Sequence, residues 1–273
     1  YSRAAIDRDE EGRSFKGTTE NIALLSINVT GAAAGETAVF ELDGGRVEAK
    51  IEAGGGGVFL RRDKDGWKAG AAPLAGEKNP ARSGGFKDAF RHNAVLVYGT
   101  RGDAAEDARA FDKARFDAEM FWVRGNGSFD LIPDSAFAPE RFLNRNVILY
   151  GNADTNSAWK ALLGASPVQF GAGRASLGAT VYTGLDFAGT FIRPRPDSDT
   201  ASVGAVAWTG PAGWTAACPG QYFISGAGFP DLLVFSAEIL RVGTDGVRAI
   251  GWFGNDWSVE TGEILMKEGG PAR

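Results

Sequence analysis

The sequence has little of what most catalytic sites are built from. A single cysteine, Cys218, leaves no partner for an internal disulfide. A single histidine, His92, excludes multi-histidine zinc sites within the chain and leaves one candidate for a histidine general base. No G-x-S-x-G nucleophile elbow occurs. Its nearest approximations, Gly164-Ala165-Ser166-Pro167 and Ile224-Ser225-Gly226-Ala227-Gly228, lack flanking glycines in register. Neither G-x-G-x-x-G nor G-x-x-x-x-G-K-[ST] is present, so no nucleotide cofactor is expected, and no cofactor of any other kind is called for. No apolar run approaches the roughly 20 residues that cross a bilayer. The 29 basic residues are scattered and outnumbered by 34 acidic ones, for a net charge of −5. That balance argues against a nucleic acid or an anionic membrane as partner.

What is present is a globular composition, 44% hydrophobic and 23% charged, which excludes disorder as the default state. The 39 glycines are dispersed without a period of three, so they read as turns and strand corners rather than collagen. The chain begins at Tyr1 rather than Met and opens with no signal peptide, which reads as a processed product.

Residues 1–75 read as a β-rich segment, a small antiparallel sheet or half-sandwich. Ile22–Val29 is an apolar run of strand length, and Ala38–Leu42 and Val47–Ile51 alternate as half-buried strands do. Asp43-Gly44-Gly45 and Asp65-Gly66 are hairpin signals. The polar stretch 76–86, GEKNPARSGGF, reads as a linker. Residues 76–273 read as an α/β domain, a mainly parallel three-layer, Rossmann-like sheet. Two β–loop–α–β units support this. In the first, Ala94–Tyr98 leads into a helix from Asp103 to Trp122, with acidic residues in its first turns. In the second, Asn146–Tyr150 leads into Ser157–Leu163, with Asp154 as N-cap. Further strands are expected at 168–170, 187–192, 203–208, 232–235 and 247–253, with a frayed tail after Met266.

The most informative feature is how the apolar runs end. Tyr98-Gly99-Thr100-Arg101, Tyr150-Gly151-Asn152-Ala153-Asp154-Thr155-Asn156 and Phe253-Gly254-Asn255-Asp256 each stop at glycine and continue with polar residues. In open α/β sheets such carboxyl ends form the ligand crevice. Thr100, Arg101, Asn152, Asp154, Asn156, Asn255 and Asp256 are therefore the candidate ligand-binding residues, gathered into one mouth. Asn152, Asp154 and Asn156 offer oxygens to a hard cation, but not at EF-hand spacing, and no metal site is assigned. Glu119, Asp130, Asp134, Asp186 and Asp256 show no spacing that selects a glycosidase pair. No catalytic residue is assigned. His92 reads as a surface or capping residue and Cys218 as a buried, inert thiol. Trp208, Trp214, Trp252 and Trp257 fall late and near loops, which keeps a carbohydrate-binding face among the alternatives.

Four segments together carry a resemblance: Gly17-Thr18-Thr19-Glu20-Asn21-Ile22, Gly84-Gly85-Phe86-Lys87-Asp88-Ala89-Phe90, Val95-Leu96-Val97-Tyr98-Gly99-Thr100, and Asn146-Val147-Ile148-Leu149-Tyr150-Gly151-Asn152 with Asn156. The series resembles the C-terminal region of large bacterial prolyl-oligopeptidase-like serine hydrolases of the α/β-hydrolase type, over about residues 15–257. The resemblance implies an upstream hydrolase domain as partner, holding the catalytic serine, acid and histidine. It also implies a secreted or periplasmic setting and an accessory, non-catalytic role for this chain. Two alternatives stand beside it. One is a stand-alone protein binding a small molecule, peptide or sugar, and the other is an independent hydrolase using the strand-end loops.

Overall fold

The computed structural model describes residues 2–29, 33–52, 57–79 and 81–267. The chain divides into two compact units, Tyr1–Pro73 and Leu74–Arg273.

The first unit holds seven strands: β1 (Arg3–Arg8), β2 (Ser14–Glu20), β3 (Leu24–Asn28), β4 (Thr37–Leu42), β5 (Gly45–Lys50), β6 (Gly57–Asp63) and β7 (Gly66–Gly70). They form two sheets, β1-β2-β4-β5 and β3-β6-β7. The first is not purely antiparallel, because β2 and β4 pair in parallel. Both expected hairpins form, β4–β5 around Asp43-Gly44 and β6–β7 at Asp65. Asp43 takes a left-handed φ of 53°, and its carboxylate accepts the Trp67 indole N–H at 2.9 Å and the Thr19 hydroxyl at 2.6 Å. The Trp67 bond ties one sheet to the other. Between them Phe15 stacks on Phe40 at 5.2 Å, with Leu42, Leu60 and Trp67 in the same core.

The second unit contains β8 (Val95–Tyr98), α1 (Ala104–Gly125), β9 (Asp130–Pro133), β10 (Val147–Tyr150), α2 (Trp159–Leu163), β11 (Val168–Gly171), β12 (Arg174–Leu177), β13 (Thr180–Thr183), β14 (Phe187–Pro194), β15 (Ser202–Trp208), α3 (Pro211–Ala217), β16 (Leu232–Ser236), β17 (Val247–Trp252) and β18 (Glu263–Met266). Its main sheet is eight-stranded, in the order β18-β17-β16-β14-β15-β10-β8-β9. The pairs β9–β8, β8–β10 and β10–β15 are parallel. The pairs β15–β14, β14–β16, β16–β17 and β17–β18 are antiparallel.

This mixed sheet overturns the expected mainly parallel, Rossmann-like domain. β14 and β15 are buried nearly end to end, and burial on both faces gives an unbroken apolar run whichever way a strand points. The connection 195–201 between them is shorter than the dozen or so residues that a parallel crossover needs. The layers differ from the expected ones as well. Strand alternation puts Ile148 and Tyr150 on one face and Leu149 on the other. The Tyr150 side meets α1, through a Tyr150–Asp117 hydrogen bond, and the turn Phe86–Phe90, whose Ala89 and Phe86 press on Gly204 beside Ile148. The opposite face carries α2 and the small antiparallel sheet β11-β12-β13, with Trp159 and Phe170 against Phe191.

The stretch expected as a linker is pinned to this unit; Pro80 within it lies outside the described residues, as does the tail from 268. Lys78 Nζ is 2.6 Å from the fully buried Asp231 carboxylate, which also accepts the Phe253 N–H at 3.0 Å. The buried Arg82 guanidinium donates to the carbonyls of Ser198 at 2.7 Å, Ala201 at 2.9 Å and Ala75 at 2.6 Å. Arg82, in a stretch that reads as solvated, is here buried because its guanidinium finds carbonyl partners.

Candidate functional site

The parallel half of the sheet builds the site. Tyr98 and Tyr150 end side by side in register, and Tyr150 pairs with Val206 of β15. Their carboxyl ends lie together at one edge of the sheet, as expected. Phe253 does not join them. Counting from β15, the antiparallel steps through β14 and β16 leave β17 running opposite to β10, so Asn255 and Asp256 lie at the other end of the sheet. There the Asn255 carbonyl accepts the Lys78 N–H at 2.7 Å. Asp256 accepts the Thr261 hydroxyl at 2.6 Å and the Ser258 N–H at 3.0 Å, and these bonds, the Thr261 hydroxyl foremost, hold its carboxyl down at about 2. Five of the seven candidate residues are thus brought to one mouth, and two are not.

Within the mouth the buried asparagines act on the backbone. Asn156 Nδ2 donates to the carbonyl of Val97 at 3.0 Å and that of Tyr150 at 3.1 Å, linking the ends of β8 and β10. Asn152 Nδ2 donates to the Trp208 carbonyl at 3.0 Å, linking β10 to β15, while its Oδ1 accepts the Asp154 N–H. Thr155 Oγ1 accepts the Asn152 N–H at 3.0 Å. Thr100 donates to Asp134 Oδ1 at 2.5 Å, and the other oxygen of that buried carboxylate accepts the Ser157 N–H at 2.5 Å. The Arg101 N–H donates to the Thr155 carbonyl at 3.0 Å, and its side chain is exposed. Two glycines permit this packing. A Cβ on Gly99 would sit 2.5 Å from the Thr155 carbonyl oxygen, and Gly151 holds φ +111° with Thr155 Oγ1 2.7 Å from where a Cβ would lie.

Asp103 caps α1 on the same rim by accepting the N–H groups of Ala105 at 2.9 Å and Glu106 at 2.8 Å. Glu106 accepts the Trp208 indole N–H and pairs with Arg109 at 3.2 Å. Beside the β10 loop lies a pocket of about 380 Å³, bounded by Asp154, Phe170, Arg174 and Ser176; of the five residues gathered here only Asp154 lines it. Asp154 Oδ2 accepts the Ala172 N–H at 2.8 Å, which fixes the β11–β12 hairpin against the loop. Asp154 and Arg174 are both exposed and give the pocket one charge of each sign.

Other residues weighed from sequence lie elsewhere. His92 is exposed, with φ +53° and Nε2 3.2 Å from the Ala81 carbonyl, at the amino end of β8 and so away from the mouth. Cys218 is half-buried in the chain after α3. Trp208 and Trp257 are buried in the core and Trp214 packs against it, so of the four late tryptophans only Trp252 is open to solvent. Among the described residues no group of three His, Cys, Asp or Glu side chains could hold a metal ion. Sequence reasoning passed over Thr155, although it stands between two singled-out residues. It also passed over Arg174, which a hairpin brings in and which no local pattern marks. No family model and no curated protein matches this chain.

Proposed function

We propose that this chain is a non-catalytic module of a prolyl-oligopeptidase-like serine hydrolase, and that its mouth at the ends of β8, β10 and β15 holds part of a peptide or ester substrate. The hydrolase context rests on the resemblance of the four quoted segments. The binding role rests on one observation: Asn152, Asn156, Thr155, Thr100 and Asp134 all spend their polar groups on strand ends, loops and one another. Side chains so engaged make a fixed scaffold. Asp154 and Arg174 remain on the pocket wall, where a peptide's amide dipoles and charged ends find complementary partners.

The test is a panel of ester and peptide substrates offered to the chain, unaltered and as Thr100→Ala. The expected result is no turnover by either. Turnover that Thr100→Ala abolishes would overturn the reading and favour an independent hydrolase. The gene context supplies the companion test, since a G-x-S-x-G domain should be encoded directly upstream.

A further inference from the structure

β18 closes one end of the eight-stranded sheet, and no strand covers its outer side among the described residues. Its orientation follows from its pairing. Ile250 lies opposite Leu265 and Trp252 opposite Glu263, and the Lys267 N–H donates to the Arg248 carbonyl at 2.7 Å. Hydrogen-bonded and non-hydrogen-bonded pairs alternate along an antiparallel ladder. The backbone groups of Glu263, Leu265 and Lys267 therefore face β17, and those of Ile264 and Met266 face outward.

Free edges recruit other strands unless something blunts them. At the far end of the sheet β9 is blunted: it finishes at Pro133, and Asp130 pairs with Arg145 at 2.7 Å. β18 has no proline, no bulge and no charge at its centre. It also exposes apolar surface, with Leu265 77% and Met266 45% accessible and Trp252 of the next strand 52% accessible.

The run Glu263-Ile264-Leu265-Met266-Lys267 is complementary to itself when reversed. We propose that β18 is the seat of a two-fold dimer, in which a second copy of this chain adds its own β18 antiparallel to the first. With Leu265 facing Leu265 of the second copy on the axis, Ile264 falls opposite Met266, and Glu263 falls opposite Lys267. Ile264 and Met266 are the residues whose backbone groups point outward, so each such pair exchanges both of its hydrogen bonds. The side-chain rows match as well. Ile250 and Leu265 continue into Leu265 and Ile250 of the second copy as one apolar row. On either side of it an acidic Glu263 meets a basic Lys267. On the reverse face Ile264 and Met266 pack between the small residues Gly251 and Ala249. The interface is isologous and closes on itself, leaving no free β18 for a third copy.

Sedimentation equilibrium of the full chain across the micromolar range tests this. The expected mass is twice that of the monomer. Glu263→Lys and Lys267→Glu, each placing like charges opposite at two symmetric positions, should each raise the dissociation constant about tenfold. The double variant should restore it. Both side chains are exposed, so the circular dichroism of each single variant should match the parent's. In a Cys218→Ser background, Leu265→Cys should form an intermolecular disulfide on mild oxidation, because Cβ atoms of a non-hydrogen-bonded pair lie about 4.5 Å apart, within reach of a disulfide. A monomer at every concentration would overturn the proposal. So would a dimer indifferent to both charge reversals in which Leu265→Cys forms no crosslink.

Discussion

The unusual residues of the second unit are its buried charges. Lys113 and Asp117 stand one turn apart on α1, both essentially inaccessible, with Nζ and Oδ1 2.7 Å apart. Lys113 also donates to the carbonyls of Cys218 at 3.2 Å and Gly220 at 3.0 Å, and it lies 4.9 Å from the Tyr222 ring centre. Tyr150 donates its hydroxyl to the other Asp117 oxygen at 3.0 Å. Burial pushes the Asp117 carboxyl up to about 6, with Lys113 and Tyr150 opposing that rise. In the unfolded chain the same carboxyl titrates near 3.8. As pH falls from 7, the folded form therefore takes up a proton before the unfolded form does. Asp117 thus weighs against folding above pH 6, and that penalty is relieved between about 6 and 4, by about 3 kcal/mol at most. Urea unfolding of the parent and of Asp117→Asn at a series of pH values should show the parent gaining stability relative to the variant across that window. A difference that stays constant from pH 7 to 4 would contradict this assignment.

At the scale of elements, α1 shows how much of the fold was legible and where legibility stopped. Asp103 followed by acidic residues marked the start of the helix, and Asp103 is its cap. The buried face was readable only in part. The spacing of Ala108, Phe111, Ala114, Arg115, Ala118 and Phe121-Trp122 includes Ala114, which is buried, and Ala118, which packs against the core, but Phe111 and Trp122 are exposed and the other buried residues are Ala110, Lys113 and Asp117. A lysine and an aspartate four apart read as a solvated pair unless the tyrosines that cover them are known. The strand ends were more transparent, because a glycine corner is a local requirement. At Gly151 a β-branched side chain would meet both a left-handed backbone and the Thr155 hydroxyl. Gly151→Val should lower the unfolding free energy by about 1–3 kcal/mol and weaken any ligand of the mouth. Denaturation and binding measured on the same preparation check this, and a variant equal to the parent in both would remove the corner's importance.

For the whole molecule, the sequence located nearly every strand of the main sheet but not their directions. Parallel and antiparallel strands buried on both faces carry the same apolar pattern, and connection length was the available cue that separated them. That one ambiguity separated Asn255 and Asp256 from the mouth and left Thr100, Arg101, Asn152, Asp154 and Asn156 within it. β18 stayed hidden for a different reason: its four residues follow a turn and have no length to display a period.

If the proposed function holds, ligands meet this unit at the carboxyl ends of β8 and β10, beside Asp154 and Arg174. Amide chemical shifts of the isotope-labelled chain, followed during titration with short peptides, locate the binding surface residue by residue. The expected result is saturable movement at Ala153, Asp154, Ala172 and Arg174 with residues 254–257 unmoved. Movement confined to 254–257, with the β10 loop silent, would contradict it.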